Sequence, residues 1–84
     1  MHMTNPDLVS IKTAVRQLAM RLGNEGTATN QWANLSKNRG VPEASVLLNE
    51  VSGYIDKARA AAEAAAEKLF EVQEAESSLH EDDH

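Results

Sequence analysis

Two stretches of the chain repeat apolar residues at alternating steps of three and four. In the first, Leu8, Ile11, Val15, Leu18 and Leu22 carry the rhythm, with Lys12, Arg16 and Arg21 off it. In the second, Val41, Ala44, Leu48, Val51, Ile55, Ala58, Ala62, Ala65, Leu69, Val72, Glu76 and Leu79 keep it, and only Glu76 is polar. Such spacing lays one apolar stripe along a helix, the seam by which it packs on another helix. The pattern therefore predicts helix 1 over about residues 5–22 and helix 2 over about residues 42–79.

Punctuation residues set the limits. Thr4 and Asp7 have capping-box spacing, and Pro6 and Pro42 suit first helical turns. Gly23 and Gly26 read as stops for helix 1. Residues 23–40, rich in Asn, Thr, Gly and Ser, read as a connector with room for one short helix over about 29–37. The run ARAAAEAAAEK, residues 58–68, has very high helix propensity. Residues 80–84, HEDDH, read as a disordered acidic tail, and residues 1–3 as a cloning scar and the natural start.

The expected fold is all-α: one helical-hairpin domain over residues 4–80 with a long second helix. Helix 2 would be about 55 Å long and helix 1 about 25 Å at 1.5 Å per residue. Folded back, helix 1 would cover helix 2 only to about Ala58. The seam beyond it, Ala62, Ala65, Leu69, Val72 and Leu79, flanked by Phe70, would overhang and need cover. Completion by homo- or hetero-dimerisation into a helix bundle is the expectation.

Composition sharpens this. The 84 residues have 4% aromatics, namely Trp32, Tyr54 and Phe70, and many alanines. A chain so small and so short of bulk makes a thin core, which a second chain would thicken. With no cysteine there is neither disulfide nor thiolate metal site. The net charge of −5 is uneven: residues 1–42 hold five basic groups against two acids, residues 43–84 three against eleven. Such a chain does not attract phosphate backbones, so nucleic acid is not an expected partner. No apolar run is long enough for a membrane span, and no signal peptide is read at the N-terminus. A cytoplasmic location is expected.

Candidate chemistry is sparse. His80 and His84 stand four apart in the tail, a spacing open to metal but read as solvated polar residues. No nucleophile–base constellation and no phosphate loop is visible, so no enzyme and no cofactor is expected. Trp32 is either a plug at the connector or a partner anchor. Tyr54, near the seam, reads as core rim. Phe70 and Glu74, one turn apart, offer an apolar knob beside a carboxylate, and are candidate recognition residues.

A hairpin of two helices, a tryptophan between them and an aromatic-x-x-x-acid pair late in helix 2 together resemble the WXG100 (ESAT-6-like) superfamily. Trp32 matches the inter-helix tryptophan, although Asn34 stands where that motif has glycine. Phe70 and Glu74 match the late export signal, with Phe for the usual Tyr. The resemblance implies a binding and targeting protein, a type VII secretion substrate or the escort of a secreted toxin. It would pair with itself or a larger helical protein and leave the cell without a cleaved signal peptide. Two other classes remain open: an acidic antitoxin-like or regulatory adaptor, and a self-associating structural protein such as a phage component.

Overall fold

The structure, a computed structural model, describes the backbone of residues 6–82 and the side chains from Asp7 to Ala75. Thr4, the presumed scar at 1–3 and residues 83–84 lie outside the described residues. Two helices, α1 (Pro6–Asn38) and α2 (Pro42–Asp82), pack side by side as an antiparallel hairpin. The rod has Cα extents of 68 × 14 × 12 Å.

The sequence of the link explains its tightness. Gly40 sits at φ 88°, the left-handed conformation that ends helices and that glycine adopts without a Cβ clash. The Gly40 amide donates to the Lys37 carbonyl at 3.1 Å and the Val41 amide to the Ser36 carbonyl at 2.8 Å. This is the paired C-cap called the Schellman motif. The Val41 carbonyl then accepts the first bonds of α2, from Ala44 and Ser45. Pro42 takes the first helical position, where a missing amide hydrogen costs nothing.

Three expectations are corrected. Helix 1 does not stop at Leu22: α1 is continuous for 33 residues, through the whole stretch read as a connector. Each glycine in a helix interior costs about 1 kcal/mol relative to alanine, and packing offsets it. Gly26 is buried, and a Cβ built there would lie 3.4 Å from Ile55 Cγ2. The space beside Gly23 is taken by Arg59, whose Nη1 would stand 3.3 Å from such a Cβ. Thr27 and Thr29, poor helix formers, donate their hydroxyls to the carbonyls of Gly23 and Glu25 one turn back. Secondly, the cover of α2 does not end near Ala58, because the longer α1 runs beside it at least as far as Phe70: Lys12 Nζ lies 5.0 Å from the centre of the Phe70 ring. Only the last turns of the 41-residue α2 extend past the 33-residue α1. Thirdly, α2 extends to Asp82, so residues 80–82, read as tail, are helical.

The seam is also shifted. Among the described residues the buried side chains are Ala19, Thr29, Ala33, Ser45, Ser52, Ala62 and Ala66. Gly26 joins them, with Leu8, Val15, Leu22, Leu48, Ile55 and Leu69 half-buried between. On α1 the inward line thus runs 8, 12, 15, 19, 22, 26, 29, 33, 36; on α2 it runs 45, 48, 52, 55, 59, 62, 66, 69, 73. Predicted seam residues Ile11, Leu18, Val51, Ala65 and Val72 are instead exposed, and the side chain of Leu79 lies outside the described residues.

The physical reason is closeness. Gly26 against Ile55 and Gly23 against Arg59 fix the register. Carried along by heptads, it sets Ala33 level with Leu48, Thr29 with Ser52, Ala19 with Ala62 and Val15 with Ala66. A small residue stands in each of these layers, so the backbones approach, and the fully buried positions hold no side chain larger than threonine. Among the described residues no large side chain is fully buried. Since a buried methylene contributes about 0.8 kcal/mol, such layers stabilise the isolated hairpin weakly.

Candidate partner-docking surface

The hairpin has two broad sides. On one, an open groove of about 940 Å³ follows the line between the helices, floored by Ala19, Gly23 and Ala66. Its walls carry Arg16 and Met20 from α1 and Glu63 and Phe70 from α2. These residues all lie on the same rotational flank of their own seam. In an antiparallel pair, the opposite flanks must then share the other side of the rod.

That other side is apolar. From α1 it displays Ile11, Leu18, Trp32 and, further out, Leu35. From α2 it displays Val51 and Val72 and, further out, Leu47 and Tyr54. All are 40–68% exposed. Between them Ala14, Ala58, Ala61 and Ala65 are exposed as well. The charges along this face are few: Arg21 and Glu25 near its middle on α1, Lys68 towards the open end of α2, and Arg39 by the turn. Contiguous apolar surface of this extent on a small chain marks a contact site.

The predicted recognition residues are divided between the two sides. Trp32 does not lie between the helices but within α1, 51% exposed on the apolar face. Phe70 lies on the groove side, 42% exposed, with Lys12 over its ring. Such a cation–π contact contributes about 0.5–1 kcal/mol at an exposed site. Glu74, one turn on, is exposed. Trp32 is level with about residue 49 of α2, so it is roughly 30 Å from Phe70 along the rod. The structure keeps Phe70 and Glu74 together and does not bring Trp32 to them.

Leu35, Leu47 and Tyr54 were missed as face residues by the sequence reading, which put Tyr54 at the core rim; it is 68% exposed. A signal existed. Residues 44, 47, 51, 54, 58, 61 and 65 are Ala, Leu, Val, Tyr, Ala, Ala and Ala, a second three-four line beside the first. Both lines share 44, 51, 58 and 65, so pattern alone does not separate seam from outer face.

Among the described residues no cluster of His, Asp or Glu is arranged to hold a metal ion. The one ion pair among them, Lys68 Nζ to Glu71 Oε1 at 3.3 Å, is exposed at both ends and contributes little. No described helix is long and apolar enough to cross a membrane. No family model, no curated protein and no solved structure matches the chain.

Proposed function

We propose that this chain is a non-enzymatic binding protein that acts by laying its apolar face on another helical protein. One observation carries the reading: large apolar side chains stand exposed along one side of the rod, while the buried positions between the helices hold only glycine, alanine, serine and threonine and the inward Leu, Ile and Val are half-buried. Helix-on-helix docking buries such a face with anchors at three- and four-residue spacing.

The more specific form is a targeting role of the kind the ESAT-6-like resemblance implies. Phe70 and Glu74 support it, because they sit on the groove side and stay accessible while the apolar face is occupied. Trp32 departs from it, since it belongs to α1 and to the docking face. The two sides are separable by mutation. Tyr54→Glu is expected to abolish association with helical partners and leave helical content unchanged. Phe70→Ala is expected to keep association and abolish export from the host. A Tyr54→Glu chain that retains every association of the wild type removes the docking reading, and wild-type export of Phe70→Ala removes the targeting one.

A further inference from the structure

The apolar face has a size gradient along the rod. Near the turn it is bulky, with Trp32, Leu35, Leu47, Val51 and Tyr54. Towards the open end it becomes mostly alanine, with Ala14, Ala58, Ala61 and Ala65, relieved by Ile11, Leu18 and Val72. A flat partner would meet one half well and leave gaps over the other. A partner with the reverse gradient would fit both halves.

We propose that the occupant of this face is a second copy of the same chain, stacked face to face and antiparallel about a two-fold axis that crosses the rod at the level of Gly23 and Ala58. The proposal rests on the docking reading above and names the partner.

Helical arithmetic sets the contacts. With the axis across the rod, α1 lies on α1 of the other copy and α2 on α2, each pair antiparallel. Trp32 then stands over Ala14 of the other copy, and Leu18 over Ala28. On the other helix pair Val51 stands over Ala65 and Val72 over Ala44, and Tyr54 falls within one residue of Ala61. Ala58 meets its own copy on the axis. In these layers large meets small, as close packing requires, and Ile11 comes level with Leu35, the one pair of large residues on α1.

Charge points the same way. Arg21 and Glu25 straddle the axis, so each Arg21 faces the Glu25 of the other copy, twice over. In a parallel stack α1 would instead lie on α2, and both charges would be pressed against Ala58 and Ala61. Arg39, by the turn, would come level with the exposed Asp7 of the other copy at the open end. The area is sufficient. A strip as long as α1, about 50 Å at 1.5 Å per residue, and about as wide as the 14 Å Cα extent covers on the order of 700 Å² per copy, close to the ~800 Å² per partner of stable interfaces.

The experiment uses the full chain, which has no native cysteine. Sedimentation at micromolar concentration is expected to give a dimer. Ala58→Cys, at an exposed helical position, is expected to oxidise to a covalent dimer, because a disulfide needs Cα atoms within about 7 Å. Val51→Cys is expected to stay unlinked, since its two copies would lie about 20 Å apart along the rod. Arg21→Glu is expected to weaken association at least about tenfold, and Arg21→Glu with Glu25→Arg to restore it. A dimer in which Ala58→Cys does not cross-link, or in which the charge swap fails to restore association, overturns the proposed arrangement. A wild-type monomer overturns the second copy as occupant. Loss of host partners on Tyr54→Glu in that monomer would leave the docking reading standing; their retention would remove both.

Discussion

Gly53 and Gly40 offer the same chemical change with opposite expected signs. Gly53 lies inside α2, exposed, and a Cβ built on it meets nothing within 4 Å. Alanine there lowers the backbone entropy of the unfolded chain and gains about 0.8–1 kcal/mol of helix propensity. Gly40 also has empty space around it, but its φ is 88°. A Cβ in that region costs about 1–2 kcal/mol from its own carbonyl. The two variants should therefore differ by about 2–3 kcal/mol. Unfolding entropy near 2.1 cal/mol/K per residue gives about 0.18 kcal/mol/K for this chain, so 1 kcal/mol moves Tm by about 5–6 °C. Gly53→Ala should melt about 5 °C above wild type and Gly40→Ala about 5–10 °C below it. The assay is helical circular dichroism against temperature at one chain concentration, since association would move Tm by mass action. Neither residue belongs to the apolar face, so that contribution cancels. A fall in Tm for Gly53→Ala, or a rise for Gly40→Ala, would refute the account of these helices.

Other consequences are testable in the same way. Gly26→Val adds two methyls beyond a Cβ already 3.4 Å from Ile55 Cγ2, and should destabilise by about 1–3 kcal/mol; an unchanged urea midpoint would show the helices further apart there. Ala33→Leu, at a site only 2% exposed, should cost a similar amount and be partly recovered by Leu48→Ala, a coupling that a double-mutant cycle would reveal. Phe70→Ala removes a half-exposed ring and its Lys12 contact, and should cost no more than about 1–2 kcal/mol; a loss of the fold would mean Phe70 is part of the interior.

The α-helical class and the hairpin order were legible because three-four spacing over this length admits no strand. The link was legible in part: Gly40 and Pro42 mark it, yet Gly23 and Gly26 gave the same signal without the same role. A glycine that ends a helix and one that lets a neighbouring helix come close look alike in one dimension. Only the position of Ile55 across from Gly26 distinguishes them. The seam was misplaced for a related reason. Hydrophobicity favours Ile11 over Lys12 and Leu18 over Ala19, but close-packed helices choose the smaller side chain, and Lys12 enters by its aliphatic stem with its ammonium turned out over Phe70. The pairing of Phe70 with Glu74 was readable from spacing within one helix. Their separation from Trp32 was not, because it depends on which flank of each helix the hairpin turns outward.

The short link at Arg39–Val41 has one more effect. It makes the chain fold on itself as a mirror, in which residues equally distant from the turn share a cross-section of the rod. Volume gained at one position is answerable only at its reflection, so the two arms are not free to vary independently. Inserting a single residue in one arm would leave every cross-section between it and the turn intact and displace every one beyond it. The open end is therefore the part of this rod most sensitive to a slip in register, and the part near Gly40 the least.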